Sequence, residues 1–305
     1  MYTVDSNFVH TFAGNPLDRG QQIRKDDGEL ATVSQADDSR FLLFHQLKVA
    51  TDAQGDLAWI SPQELPGSVH TQVFLGLQEG SGRFAGSVPD PIDIPGIHEF
   101  TDCRQAASAL SLAQGGIVSQ ARAMLDWHQR NPYCAVCAQP TRSARGGQIR
   151  HCAQCEKHIF PRTDPVAIML IQDSPKGDRC LLGKSQGRMA DSNFYSALAG
   201  FVDQGESLEE AVRREVMEEA GIRVGRVSYH SSQPWPFPSS LMIGCHGIAE
   251  NQDIVIDPNE MADVAWFDRP SVLAAIAGEN PDLRIPGPGA IAHHLIKAWA
   301  QSPIK

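Results

Sequence analysis

Hydrophobic and polar positions along the chain follow two periods. The runs "RFLLFHQLKV" (40–49) and "TQVFLGL" (71–77) are apolar or alternate, which predicts strands. "DPVAIMLIQD" (164–173) reads as a strand with Pro165 near its start, where proline is tolerated, and "RCLLGKS" (179–185) as its neighbour. "RVSYHSSQ" (226–233), "SLMIGCHGIAEN" (240–251) and "ADVAWFD" (262–268) predict further strands. The helical period governs "AASALSLAQGGIVSQARAMLDWHQR" (106–130), with a break or cap expected near Gly115–Gly116. It returns in "SLEEAVRREVMEEAG" (207–221) and "GAIAHHLIKAWAQ" (289–301). "VPDPIDIPG" (88–96) is a proline-punctuated loop, and "NFYSALAGFVDQGES" (193–207) leads through a loop into the second helix. No internal repeat or low-complexity segment is evident. The class is α+β, divided at a short polar, cysteine-bearing insert into 1–130, 131–163 and 164–305.

Composition changes little in this picture. At 305 residues, with 42% hydrophobic and 20% charged positions, the chain can bury an ordinary core without a disulfide framework. "VAIMLI" (166–171) has the length of a buried strand, not of a membrane span. "MYTVDSNFVH" lacks a basic and an apolar leader region, so the expectation is a cytoplasmic protein with no membrane partner. A net charge of -10 argues against a non-specific nucleic-acid coat while allowing a local basic patch.

The helix after Ser207 poses a chemical problem. Ser207 and Glu210 form the capping-box pattern, and Gly221 stands where a left-handed C′ residue belongs. At about 100° per residue, Leu208, Ala211, Val212 and Val216 define a buried face. Glu215 and Glu219 fall in the middle of that face and Glu218 at its edge, with Arg214 alongside. The bland reading is a solvated acidic face. An unpaired carboxylate turned toward a core costs several kcal/mol, however, and two cost more. A divalent cation resolves the conflict, because hard cations take several oxygen ligands.

Residues 200–222 read G-x5-E-x7-R-E-V-x-E-E-x-G-I, from Gly200 through Glu206 and Arg214 to Ile222. This resembles the Nudix box at all nine specified positions over 23 residues, which makes chance agreement very unlikely. The resemblance implies a Nudix fold, a mixed sheet between helices, and metal-dependent hydrolysis of a nucleoside diphosphate joined to another group. It implies Mg²⁺ or Mn²⁺ held by Glu215 and Glu219, often with the backbone carbonyl of Ala199. Glu218 is the adjacent candidate for metal or for base, and Arg214 pairs with a box carboxylate. Whether Glu218 or Glu219 activates the water stays open.

"CAVC" (134–137) and "CAQC" (152–155) match the spacing of a zinc ribbon. Cys134, Cys137, Cys152 and Cys155 supply four soft ligands and leave no open position, so the predicted Zn²⁺ is structural, one per chain. A redox dithiol is the weaker alternative, and His151 and His158 are read as neighbours, not ligands. Between 131 and 162, Arg142, Arg145, Arg150, Lys157 and Arg162 stand against Glu156, a local +4. The bland reading is solvated ribbon loops, slightly favoured; the sharper one is a phosphate-backbone track.

In "SQPWPFPSS" (232–240), Pro234, Pro236 and Pro238 fix φ at alternate positions, so Trp235 and Phe237 ride on a stiff extended segment. Pre-stiffened aromatics suit a flat ligand ring; equally, they suit plain packing. The stretch resembles the marker of the NADH pyrophosphatase branch of the Nudix hydrolases. That branch also carries a zinc ribbon before its Nudix domain and an N-terminal Nudix-like domain, to which "TFAGNPLDRG" (11–20) is weakly similar.

Membership of that branch implies hydrolysis of NAD(H) to NMN(H) and AMP, removal of NAD caps from RNA 5′ ends to leave a 5′-monophosphate, and a homodimer. It also implies a nucleotide-binding loop of Gln233, Pro234, Trp235, Pro236, Phe237, Pro238, Ser239 and Ser240. A further metal-binding glutamate falls at Glu260 and a substrate contact at Ala292. Phe160 stands where the branch commonly has a stacking tyrosine, so stacking is retained and a phenolic hydrogen bond is not. The alternatives are an ADP-ribose or other dinucleotide pyrophosphatase and, in another class, a non-catalytic zinc-ribbon RNA-binding module. Trp59 and His45 in the N-terminal part are read as packing residues.

Overall fold

A computed structural model describes residues 10–91, 94–187 and 189–302. Positions 1–9, read above for a leader, and 92–93 in the proline-punctuated loop lie outside the described residues. The chain forms two compact units. Of the described residues, one comprises 11–163 with 234–239; the other comprises His10, 164–233 and 240–302.

The first unit opens with helix α1 (Asp27–Gln35), whose N-cap Asp26 accepts from Gly28 and Glu29 N–H. Strands β1 (Arg40–His45), β2 (Lys48–Thr51), β3 (Trp59–Ile60), β4 (Thr71–Gln78), β5 (Ser81–Val88) and β6 (Glu99–Thr101) follow. The run at 40–49 is therefore two strands, turned at Gln46 and Leu47 with φ of 48° and 62°. The sheet order is β4-β5-β1-β2-β6, with β3 on β1.

Helices α2 (Cys103–Ala106) and α3 (Leu112–Arg130) complete the N-terminal part. β1 is buried on both sides. Leu42 and Phe44 pack with Val118, Ala121 and Leu125 of α3. Phe41 and Leu43 pack on the other face, which Leu30 and Val33 of α1 adjoin.

The break or cap expected near Gly115–Gly116 falls a few residues earlier, where α2 ends at Ala106 and Ser111 caps α3, which then runs unbroken through both glycines. Its start is the Ser111–Gln114 capping box. Gly116 is there for space: a Cβ would meet Asn15 Cα at 2.8 Å and Ala13 O at 2.9 Å. The ribbon, β7 (Arg142–Ala144), β8 (Ile149–His151) and β9 (His158–Ile159), forms a separate three-stranded sheet in the same unit.

The second unit contains β10 (Asp164–Gln172), β11 (Arg179–Ser185), β12 (Leu198–Phe201), α4 (Leu208–Ala220), β13 (Val224–Trp235), β14 (Ser240–Ala249), β15 (Met261–Asp268), α5 (Arg269–Ala277) and α6 (Ile291–Ala300). β12 lies inside the stretch expected to be loop; Ala167 of β10 pairs with its Gly200. The order is β13-β14-β10-β11-β15, with β12 on β10. Ala167, Met169 and Ile171 face Ala211, Val212 and Val216 of α4. Ile168 and Leu170 face α5 and α6, through Val272, Leu295 and Ile296. A mixed sheet between helices is the Nudix arrangement.

The two sheets share a connectivity that the sequence does not reveal as a repeat. In each, the first two strands form an antiparallel pair, a third pairs with the first, and a later strand lies parallel to the first. Where the second unit has α4, the first has only a 3-10 turn, Pro62–Glu64. The N-terminal domain thus keeps the Nudix sheet and lacks the carboxylate-bearing helix.

Candidate active site

Local sequence fixes α4. Ser207 N–H donates to Glu210 Oε2 at 2.7 Å, and Gly221, at φ 67°, ends the helix by donating its N–H to Met217 O at 3.0 Å. Gly200 of β12 faces the helix, and a Cβ there would collide with the Glu215 carboxylate.

Arg214 ties the carboxylates together. It donates to both oxygens of Glu206, at 2.7 and 2.8 Å. It reaches Glu215 Oε1 and Glu218 Oε2 at 2.9 Å each, and the Phe201 carbonyl at 2.9 Å. These bonds, with the Asp203 N–H, pull the Glu206 carboxyl down to about 2. They raise Arg214 well above the ordinary arginine range, Glu206 contributing most.

Glu219 has no such partner. It is buried, and its Oε2 has no hydrogen-bond donor. Burial, then the charges of Glu215, Glu260 and Glu218, push its carboxyl up to about 8. Burial also raises Glu215, against the pull of Arg214. Glu260 ends the turn before β15, its carbonyl accepting from Gln186 N–H at 2.8 Å. Four carboxylates thus share one field, one of them with an unsatisfied buried oxygen. That donor set, all oxygen and partly desolvated, fits a hard divalent cation.

Among the described residues, the cluster of such side chains already at metal-ligand spacing is Cys134, Cys137, Cys152 and Cys155, all within 4.8 Å of one another. Sulfur separations of 3.5, 3.6 and 3.8 Å exclude disulfides, whose S–S is about 2.05 Å. They match the roughly 3.8 Å edge of a tetrahedron with Zn–S near 2.3 Å. Ala138 and Glu156, each directly after the second cysteine of its pair, take left-handed φ of 58° and 54° to close the two knuckles. His151 and His158 stay outside the cluster and pack edge to face, centroids 5.3 Å apart.

Arg150 does not belong to a solvent-facing basic track. It turns inward to the Thr141 hydroxyl at 2.6 Å, the Thr141 carbonyl at 2.7 Å and His128 Nδ1 at 2.9 Å. Arg142 and Lys157 are exposed, as is Phe160, whose ring is 63% accessible.

"SQPWPFPSS" is not one extended segment. β13 continues through Pro234 and Trp235, and residues 236–239 turn. β13 lies at the sheet edge, where a proline's missing N–H breaks no ladder. Trp235 and Phe237 pack on each other, centroids 5.2 Å apart, and edge-on to Phe12 at 5.8 and 5.5 Å. Two guanidinium groups lie over the Phe237 ring, Arg104 at 4.1 Å and Arg122 at 4.4 Å.

Gln233 is buried and uses its amide on the backbone. It donates to Gly289 O at 2.9 Å and accepts from Ile291 N–H at 2.8 Å, capping α6, whose own N-cap is Ala290. Ala292 is buried in the first turn of that helix. Sequence reasoning missed both the Gln233 cap and the arginines over Phe237, which no local signal marks.

Three family models match in tandem: an NADH pyrophosphatase-like rudimentary NUDIX domain over 38–127, an NADH pyrophosphatase zinc ribbon over 129–160 and a NUDIX domain over 161–285. The NAD-capped RNA hydrolase NudC of Mycobacterium bovis is 38% identical over 242 residues, 75% of this chain and 75% of its own. The chain belongs to the NADH pyrophosphatase branch of the Nudix hydrolases. Within this branch it is 36% identical over 240 residues to the mitochondrial NAD(P)H pyrophosphatase NUDT13 of Mus musculus, covering 75% of this chain and 67% of that one. It is 42% identical over 195 residues to the NAD-capped RNA hydrolase NUDT12 of Homo sapiens, 61% of this chain. The chain spans 42% of that relative's length. A NUDIX hydrolase structure from Nitrosomonas europaea aligns with TM-score 0.41 at 17% identity, over 55% of this chain and 90% of that one.

Proposed function

We propose that this Nudix hydrolase cleaves the pyrophosphate of NAD(H) to NMN(H) and AMP, and removes NAD caps from RNA 5′ ends to leave a 5′-monophosphate. The observation that carries this reading is the buried, donor-free oxygen of Glu219 in the shared field of Glu215, Glu218 and Glu260. Branch membership and the aromatic turn at 234–239 narrow the substrate. The homodimer is part of the same proposal and rests on the resemblance alone.

Glu215, Glu219 and Glu260, with the Ala199 carbonyl, would hold Mg²⁺ or Mn²⁺. When bound, such a cation neutralises pyrophosphate oxygens and lowers the pKa of water. Arg214 holds Glu215 and Glu218 in fixed positions, and Glu206 locks Arg214 through both of its oxygens. Glu218, which is exposed, or Glu219 takes the proton of the attacking water. Water oxygen bonds to one phosphorus, the bond from that phosphorus to the bridging oxygen breaks, and two monophosphates leave. Zinc held by Cys134, Cys137, Cys152 and Cys155 would keep the ribbon folded, and exposed Phe160 offers a stacking face to the substrate's planar ring.

The test is Glu219→Gln assayed with NADH and Mg²⁺. The expected result is loss of turnover in a protein that melts like the wild type. Normal turnover in that variant would remove Glu219 from the site.

A further inference from the structure

We infer that Arg122, in the rudimentary N-terminal domain, is a positioning residue for the aromatic turn. The inference rests on the proposed reading of 234–239 as the part that meets the nucleotide.

Arg122 sits on α3 between buried Ala121 and Met124. Its nearest acidic group along the helix, Asp126, is already bonded to Arg130 at 2.8 Å. The guanidinium instead donates to the Pro236 carbonyl and lies 4.4 Å from the centre of the Phe237 ring. Burial pulls its pKa below the usual arginine range, so the cation is held there at a solvation cost. One planar group therefore bears on two features of the turn, the Pro236 carbonyl and the Phe237 ring, the latter shared with Arg104, which lies 4.1 Å from the same ring centre. Phe237 in turn packs on Trp235 and Phe12, so a shift of its ring reaches both neighbours.

This gives the rudimentary domain a task in the reaction. It has lost the carboxylate helix but retains α3, which shapes the recognition turn. A recognition turn held in advance loses little entropy when the ligand arrives. The effect of losing Arg122 therefore falls on substrate binding, not on the chemical step.

The experiment measures KM and kcat for NADH, melting temperature and Mg²⁺ activation in wild type, Arg122→Met and Arg122→Lys. Methionine keeps an apolar stem; lysine keeps the charge and an N–H donor group but has no planar face to lie flat on the ring. The expected result is a KM raised about tenfold in Arg122→Met and by an intermediate factor in Arg122→Lys, with kcat within about threefold and Mg²⁺ activation unchanged. If Arg122→Met does not fold, Arg122→Lys alone decides: a raised KM at unchanged melting temperature supports the assignment, and wild-type KM overturns it. Wild-type KM in a folded Arg122→Met, or a fall in kcat that tracks lost melting temperature at constant KM, also overturns it. A wild-type enzyme inert toward NADH would instead refute the proposed function, and this inference with it.

Discussion

No side chain fits between Gly200 and Glu215. Strand β12 brings the Gly200 backbone against the Glu215 carboxylate, where any Cβ would overlap it. The box glycine is thus a matter of close approach, since its φ needs no left-handed conformation. Gly200→Ala should displace Glu215 and lower kcat by about 10²-fold, the scale of a misplacement near 1 Å. Melting temperature should fall as well, because the displaced carboxylate is only 12% exposed and bonded to Arg214. Full activity in Gly200→Ala would show that Glu215 need not sit where it does.

Arg214 serves three glutamates and one carbonyl at once, which only a planar fork can do. Arg214→Lys keeps the charge and loses the geometry. We expect kcat/KM for NADH to fall by about 10²-fold and excess Mg²⁺ not to restore it. Recovery at high Mg²⁺ would mean that Arg214 contributes charge balance alone.

The ribbon should contain one zinc per chain by elemental analysis. Three cysteines, Cys103, Cys180 and Cys245, are buried and lie outside the four-cysteine cluster. In the native protein, mercurial titration should release zinc in step with four thiols, and chelation should unfold the ribbon, because metal affinity is folding free energy there. A purified zinc-free protein whose thiols all titrate freely would contradict the ribbon assignment.

Two buried histidines set an acid limit. Burial lowers both His10 and His246 to about 4, with His294 and His230 adding repulsion to His10. Above pH 6.5 both states are neutral at these sites and stability is intact. As pH falls below 6.5 the unfolded chain binds protons first, and stability drops by about 1.4 kcal/mol per pH unit for each histidine. The loss levels off near pH 4. Urea unfolding from pH 7.5 to 4.5 should show a shallower decline in His246→Gln than in wild type. Parallel declines would exclude His246 as a source.

Much of this was legible in the sequence, for an identifiable reason. The signals of α4, the Ser207–Glu210 cap, the wheel of Glu215 and Glu219 and the Gly221 terminator, lie within a few residues of one another. The cysteine spacing is equally local. What stayed hidden depends on partners far along the chain. Gly116 suggests a helix break or cap because its cause, the backbone at Ala13–Asn15, is about a hundred residues away. The proline run was read as a stiff rod because its fold depends on α3. Arg150 was counted among solvated charges because its partners, Thr141 and His128, meet it only in three dimensions. The matching connectivity of the two sheets leaves no sequence repeat, since pairing order constrains shape and patterning and leaves identity free.

Cleavage of the NAD(H) pyrophosphate is tested by one assay. NADH, ADP-ribose and an NAD-capped RNA are incubated in parallel with Mg²⁺ or Mn²⁺, and the products are resolved chromatographically. The expected products are NMNH with AMP from NADH, and NMN with 5′-monophosphate RNA from the capped transcript. Cleavage of ADP-ribose alone would retain the Nudix chemistry and contradict the substrate reading of the aromatic turn.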